Sequence, residues 1–186
     1  MSKELIRKLI IWLRRKHPGT IVTLREFLMQ YAHLLGVMPM YAQLSIRVFR
    51  KDGTIEDKGV VSTHSVTDAF VAALVDTLQS AVAAFSNYKY HDSGTGTTAE
   101  AVGDTALETA CGEARTTGTQ VEGATANIYK SVGTHTYAGT FSITEHGLFN
   151  IAAVGTLMDR SVFTAITVTA NDRIEFTYQL TCTSGG

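Results

Sequence analysis

The sequence predicts an α+β protein: an N-terminal helical arm, a β-hairpin and one long helix, followed by a jelly-roll-like antiparallel β-sandwich. Two uneven distributions along its 186 residues support this fold class. Of 26 threonines, 20 lie from Thr95 onward, as do 12 of the 16 glycines, and this mixture is typical of exposed strand faces and turns. Basic residues instead gather at the beginning, where residues 1–30 hold seven of them and two acidic residues.

The arm, residues 1–40, is predicted to form two helices. Over residues 3–16 the apolar side chains, with one exception, fall within an arc of about 160° when each residue turns by 100°. A Pro-Gly pair ends this helix, and a capping-box pattern at residues 23–26 begins the second. The second helix ends at Gly36, because glycine commonly follows the last helical residue.

The rest of the chain, residues 41–186, is predicted as the β domain. It opens with a hairpin over residues 42–62, because alternating apolar and polar side chains flank an Asp52-Gly53 turn signal. A helix follows over residues 65–85, and its apolar stripe is expected to contact other subunits through Phe70, Leu74, Leu78 and Val82. The remaining alternating segments predict strands of an antiparallel sandwich at residues 88–93, 115–121, 124–132, 137–143, 146–151, 156–163, 165–169 and 173–183.

The charge balance and the cysteine count exclude several classes of protein. The net charge of −1 is a cancellation between +5 in residues 1–30 and −6 in the remainder, which excludes a chain-wide polycation and allows a local basic contact. No stretch approaches the roughly 18–20 uncharged apolar residues that a membrane span requires. The two cysteines, Cys111 and Cys182, are too few for a disulfide scaffold and indicate thiols in a reducing compartment.

One run, Tyr90-His91-Asp92-Ser93-Gly94, contains the residue types of a hydrolase triad. Adjacent residues of a strand point to opposite faces, so these neighbours cannot form a catalytic relay with one another. The segment that follows, residues 94–98, lacks the lysine of a phosphate-binding P-loop. We interpret it as a turn, or as backbone that approaches a neighbouring subunit. The sequence therefore predicts no catalytic residue.

Three groups contain residue types that bind metals: Glu145-His146, His135 and Asp159-Arg160. None of them has the ligand spacing of a zinc or calcium motif. The Asp159-Arg160 pair fits an ion pair better, and His146 fits a hydrogen-bonded residue near the end of a strand. The sequence therefore predicts neither a metal site nor a cofactor.

The basic arm carries the most information about partners. Its charge and its apolar stripe favour docking on an acidic protein surface, with packing inside the same chain and contact with membrane or nucleic acid as alternatives. Its apolar run at residues 9–13 is too short for a signal peptide. The residues expected to bind the partner are Leu9, Trp12, Leu13, Arg14, Arg15, Phe27 and Tyr31.

An ordered set of short motifs runs from about residue 42 to the end of the chain. It comprises Ala42-Gln43-Leu44, Val66-Thr67-Asp68-Ala69-Phe70, Leu74-Val75-Asp76, Lys89-Tyr90-His91, Gly94-Thr95-Gly96-Thr97-Thr98-Ala99-Glu100-Ala101, Asp104-Thr105-Ala106-Leu107, Gly123-Ala124-Thr125-Ala126-Asn127-Ile128-Tyr129, Ile143-Thr144-Glu145-His146-Gly147-Leu148-Phe149, Gly155-Thr156-Leu157-Met158-Asp159-Arg160-Ser161-Val162-Phe163 and Gly185-Gly186. With these motifs the chain resembles a family of small virion proteins of tailed bacteriophages. Residues 1–40 look like an addition to the family pattern.

The resemblance implies a non-enzymatic virion structural protein, assembled in the cytoplasm of a host bacterium. We expect a homo-oligomer, a trimer, that decorates the capsid and is anchored by its arm to the major capsid protein or to other virion proteins. A tail-fibre, collar or head–tail junction component is the first alternative. A carbohydrate-binding module for host attachment is the second. Neither a specific nucleic-acid partner nor a membrane is expected.

Overall fold

The computed structural model of the protein describes residues 40–79 and 87–182. Within them, Met40–Thr181 forms one compact unit. The predicted arm helices, the seven predicted partner-binding residues of the arm and the predicted contact residue Val82 lie outside the described residues. The division of the chain into an arm and a β domain therefore stays a prediction.

The described residues form nine strands and one helix, arranged as two mostly antiparallel sheets. A five-stranded sheet has the order β2-β1-β9-β6-β5, and a four-stranded sheet has the order β4-β3-β7-β8. The elements are β1 Met40–Phe49, β2 Ile55–His64, α1 Asp68–Leu78, β3 Tyr90–Gly94, β4 Thr116–Thr117, β5 Thr119–Glu122, β6 Ile128–Thr136, β7 Phe141–Phe149, β8 Leu157–Val168 and β9 Arg173–Cys182.

The predicted hairpin is confirmed as β1 and β2, which pair antiparallel. In its turn, the backbone N–H of Thr54 donates to the Asp52 carboxylate at 2.8 Å, and Gly53 takes a positive φ of 89°. Glycine adopts this conformation without the steric penalty of a side chain, which explains the Asp-Gly signal.

The predicted long helix is shorter at its start than expected. It begins at Asp68 because the Thr67 side chain accepts a hydrogen bond from the backbone N–H of Phe70 at 3.2 Å, as an N-cap does. Thr67 also donates its own N–H to the carbonyl of Met158 on β8 at 3.0 Å. The described helix ends at Leu78, and residues 80–85 of the prediction lie outside the described residues.

Five of the predicted strands were wrong in their boundaries. The segments 137–143 and 146–151 belong largely to one strand, β7, and the segments 156–163 and 165–169 belong to one strand, β8. The polar residues between them read as turns, yet Thr144 and Glu145 are buried inside β7, which continues through a register irregularity. Conversely, the predicted strand 115–121 is split at Gly118, whose N–H donates to the carbonyl of Lys89.

One hydrophobic core joins the two sheets, which is the arrangement of a sandwich-like fold. Its members come from β1 and β9 of the five-stranded sheet and from β7 and β8 of the four-stranded sheet, with Tyr137 between β6 and β7. The alternation predicted for the last strand is confirmed, because every second side chain of β9 is buried: Ile174, Phe176, Tyr178 and Leu180.

Candidate functional site

The helix α1 presents an exposed apolar surface. Phe70 is buried and packs edge-on against Tyr88, with ring centroids 5.2 Å apart, and Leu74 is half-buried. Leu78 is 79% exposed, and Val71 and Val75 on the same helix are also exposed. Of the predicted contact residues that the structure describes, Phe70 therefore packs within the chain, whereas Leu78 is available to a partner. The contact itself stays a prediction.

A buried carboxylate, Glu145 on β7, holds a loop against the four-stranded sheet. Its Oε1 accepts backbone N–H groups from Gly96 at 3.0 Å and Thr109 at 2.8 Å. Its Oε2 accepts the N–H of Glu108 at 3.0 Å and the guanidinium Nε of Arg160 at 2.7 Å. Glu145 is fully buried, and these four donors replace the water that its charge would otherwise require.

Arg160 on β8 extends this cluster to two more carboxylates. Its Nη1 donates to Asp104 at 3.1 Å and its Nη2 to Glu108 at 3.4 Å. Burial acts to lower the pKa of Arg160, but Glu145 and Asp104 outweigh it, so the pKa is raised. We call Glu145, Arg160, Asp104 and Glu108 the loop clamp, because they fix residues 96–109 on one face of the sheet.

Two glycines let the loop approach the clamp. A Cβ on Gly94 would lie 2.3 Å from the carbonyl of Thr109, and one on Gly96 would lie 2.6 Å from Glu145 Oε1. The sequence left open whether residues 94–98 form a turn or approach a neighbouring subunit. In the structure this backbone contacts its own chain: Gly96 donates its N–H to Glu145, and Thr95 donates its N–H to the carbonyl of Thr109.

On the opposite face of the four-stranded sheet, which we call the histidine face, His91 and His146 lie buried in the interior. His91 on β3 hydrogen-bonds through Nδ1 to Nε2 of His146 on β7 at 2.9 Å, and through Nε2 to the Ser131 hydroxyl on β6 at 2.8 Å. Burial lowers the pKa of His91 to about 3, with a smaller contribution from His135, and lowers that of His146 far below its ordinary value.

A second buried chain of polar groups runs through His64 on β2. The Ser62 hydroxyl lies 3.0 Å from His64 Nδ1, and His64 Nε2 is in ion-pair contact with Asp159 of β8. Nε2 also lies 3.3 Å from the Ser161 hydroxyl. Burial raises the pKa of Asp159 to about 6, although the bond to His64 acts in the opposite direction.

The run that resembles a hydrolase triad is divided between the two faces, as its strand periodicity predicts. Ser93 is buried and accepts a hydrogen bond from the Tyr137 hydroxyl at 3.0 Å. Asp92 instead bonds Arg115 at 3.1 Å on the face that carries the loop clamp. The neighbouring sequence pair Asp159-Arg160 is divided in the same way, so these two residues do not pair with each other.

The buried polar residues are linked to one another inside the fold. Ser62, His64 and Asp159 are linked in the order of a catalytic relay, but all three are buried at 9%, 6% and 1% exposure. Within residues 40–79 and 87–182, no group of three or more His, Cys, Asp and Glu side chains is placed to hold a metal ion.

Sequence reasoning did not find the central role of Glu145 or the pairing of His91 with His146. A partial signal for the first exists in the sequence, since Glu145 and Arg160 carry opposite charges, although Glu145 lies between the predicted strands 137–143 and 146–151. No comparable signal exists for the histidine pair, whose members are 55 residues apart.

Comparisons of the chain with protein-family models, with curated proteins and with solved structures found no match. In the part of the chain that the structure describes, no helix combines the length and the apolar character needed to cross a membrane.

Proposed function

We propose that the protein is a structural protein of a tailed-bacteriophage virion: a homo-oligomeric capsid decoration protein without enzymatic activity. Residues 1–40 anchor it to the major capsid protein. The observation that carries the proposal is the ordered set of motifs between residues 42 and 186, interpreted through the structure. Those motifs supply His91, Gly94, Asp104, Glu145 and Arg160, which together hold the loop and the sheets in place. The motifs thus encode a rigid fold.

The finer fold assignment, a jelly-roll-like sandwich, is part of the same proposal. Strands alternate between the sheets in pairs, since β1, β2, β5, β6 and β9 lie in one and β3, β4, β7 and β8 in the other. The chain therefore crosses between the sheets four times within the described residues. Repeated crossing of this kind is typical of jelly rolls and Greek keys.

The exposed face of α1 supplies the contact between subunits, which we propose to be a trimer. Val71, Val75 and Leu78 lie on this face at spacings of four and three residues. Such spacing places them on one side of a helix, where copies of the helix can bury them against one another. Trimers at local threefold positions provide decoration proteins with several anchoring arms at once, which strengthens attachment through multivalency.

Incorporation into virions tests the anchor and the subunit contact together. We expect deletion of residues 1–36 to leave a folded β domain and to remove the protein from purified particles. We expect Leu78→Asp to convert the trimer to monomers in sedimentation and to lower its copy number per particle. Val154→Asp is the matched control, because Val154 is 84% exposed on a loop while Leu78 is 79% exposed.

Three outcomes would contradict the proposal. Particles that retain the truncated protein exclude the arm as the anchor, and a Leu78→Asp protein that stays trimeric excludes α1 as the contact. A copy number of roughly a dozen per particle, instead of hundreds, favours the tail-fibre, collar or head–tail junction alternative. The carbohydrate-binding alternative is disfavoured because Tyr88, Tyr137 and Phe149 are buried, and glycan binding by the protein would restore it.

A further inference from the structure

The histidines of the described residues are concentrated in the interior. His64, His91, His135 and His146 are all at most 6% exposed, whereas histidines in general are only intermediate in burial. They come from four different strands, β2, β3, β6 and β7, and both sheets contribute. Their burial therefore depends on the two sheets remaining packed.

The hydrogen bond between His91 and His146 is incompatible with protonation of both rings. Between His91 Nδ1 and His146 Nε2, one nitrogen donates and the other accepts. If both rings were protonated, two N–H donors would face each other at 2.9 Å. Protonation of one ring keeps the bond but places a charge in the interior, where no carboxylate of the described residues is hydrogen-bonded to His91 or His146.

The surroundings of the pair do not offset an added charge. The groups that shift the pKa of His146, besides burial, are His91, His64 and His135, each of which would itself be cationic when protonated. From β9, the Phe176 ring lies 4.5 Å from the His146 ring, and Tyr178 lies on the same inward face. From β8, the carboxylate of Asp159 faces His64. Asp92 and Glu113 act on His135, where they favour the charged form.

The rings also have no space in which to move. A Cβ on Gly118 would lie 2.6 Å from His91 Nε2, and one on Gly133 would lie 2.5 Å from His91 Cδ2. Backbone at two positions therefore approaches the His91 ring closely and limits its movement. Because the ring cannot turn toward water, relief of a buried charge requires separation of the strands.

We propose that the histidine-lined interior makes the β domain acid-sensitive: His91 and His146 act as proton sensors whose protonation releases the contact between the two sheets. The device is independent of the proposed virion role. It predicts a fold that is stable at neutral pH and that opens in mildly acidic surroundings.

The direction of the pH dependence follows from proton linkage. The pKa values of His91 and His146 are lowered in the folded protein, so below pH 6.5 the unfolded chain binds more protons, and each histidine lowers the folding equilibrium constant by about tenfold per pH unit. The pKa of Asp159 is raised to about 6, so the folded protein binds a proton there. This offsets the loss of stability caused by one of the two histidines. The net expectation is a decrease on the order of a hundredfold between pH 7 and pH 5.

Urea unfolding of the full chain at pH 7, 6 and 5, at constant ionic strength, measures this decrease. We expect His91→Gln and His146→Gln each to reduce the loss between pH 7 and pH 5 by about tenfold or more. Phe176→Leu is the matched control, because it alters packing on the His146 ring without removing a titrating group. It should lower stability equally at each pH. Asp159→Asn removes the offset and should make the dependence steeper.

A second measurement needs no variant. Calorimetric unfolding at pH 6 in buffers of different ionisation enthalpy gives the protons taken up, for which we expect about one per chain or more. Net release of protons, or no uptake, would overturn the proposal. So would a wild-type stability that does not change between pH 7 and pH 5, or histidine variants whose pH dependence equals that of Phe176→Leu.

Discussion

The two faces of the four-stranded sheet bury polar side chains in different ways. On the face beneath the loop, Glu145 and Arg160 pair with each other and bond further polar groups of the loop. On the inward face, the neighbouring residue His146 is held neutral beside His91. Two residues adjacent in sequence thus face opposite electrostatic environments.

The difference shows what each face contributes. In the loop clamp, three backbone N–H groups and a guanidinium take the place of water around Glu145, and they fix a long loop that contains no helix or strand. On the histidine face, His91 and His146 have hydrogen-bond partners but, in the part of the chain that the structure describes, no carboxylate bonded to them. The stability of the fold therefore depends on the protonation state of these two rings. The first arrangement fixes the loop on the sheet, and the second is the basis of the acid sensitivity that we propose.

The largest expected effect is on the clamp. Glu145→Ala should lower the free energy of unfolding by about 3–5 kcal/mol, because it removes a buried charge and leaves Arg160 and three backbone donors poorly satisfied. Urea unfolding measures the loss, and hydrogen exchange should show faster exchange at the amides of Gly96, Glu108 and Thr109.

Glu113→Ala is the matched control for that prediction. Glu113 accepts one backbone N–H, from Ala138 at 3.0 Å, so its removal should lower the free energy of unfolding by about 1 kcal/mol. If the two variants were equally stable, the clamp would be no more important than an ordinary surface hydrogen bond, and the contrast between the faces would fail.

The next effect concerns space on the histidine face. Gly133→Ala places a Cβ 2.5 Å from the His91 ring, and we expect this overpacking to lower the free energy of unfolding by about 1–3 kcal/mol. Gly103→Ala is the control, because nothing lies within 4 Å of its added Cβ. Equal melting temperatures for the two variants would show that the His91 ring can move, against the enclosure argued above.

The smallest expected effect is that of replacing Arg115, which lies on the same face of the sheet as the loop clamp. Arg115 bonds Asp92 and the carbonyl of Ile151, and its guanidinium lies 3.3 Å from the centroid of the Phe149 ring. Arg115→Lys should lower the free energy of unfolding by about 1 kcal/mol, because lysine loses the planar stacking and the fork of donors.

Arg47→Lys is the comparison for this variant. Arg47 pairs with Glu175 at 3.1 Å, but its side chain is 46% exposed, so we expect a change below about 0.5 kcal/mol in chemical unfolding. A larger loss for Arg47→Lys than for Arg115→Lys would mean that burial does not set the contribution of these arginines.

Local patterns made part of the fold predictable. The alternation in β9 and the Asp52-Gly53 turn are confirmed, because each depends on residues within a few positions of one another. The boundaries of β7 and β8 were not predictable in the same way. Thr144 and Glu145 read as a turn between two strands, and the donors supplied by the loop and by Arg160 make a buried carboxylate possible inside β7.

The candidate contact surface on α1 was likewise predictable only in part from the sequence. The apolar stripe of α1 was visible in the sequence, but which side of it faces the chain depends on the contact of Phe70 with Tyr88. The exposed set Val71, Val75 and Leu78 therefore emerged only from the structure.

By itself, the sequence determined the β-rich class, the hairpin, the opposite facing of Asp92 and Ser93, and the mismatch with enzyme motifs, because these depend on local periodicity and spacing. The tertiary structure decided which partners each buried polar group has. Glu145 meets donors 36, 37 and 49 residues away, and His146 meets His91 across 55 residues. Partners so far apart in sequence meet because of the register of the strands and the closure of the loop, and both result from the packing of the whole fold.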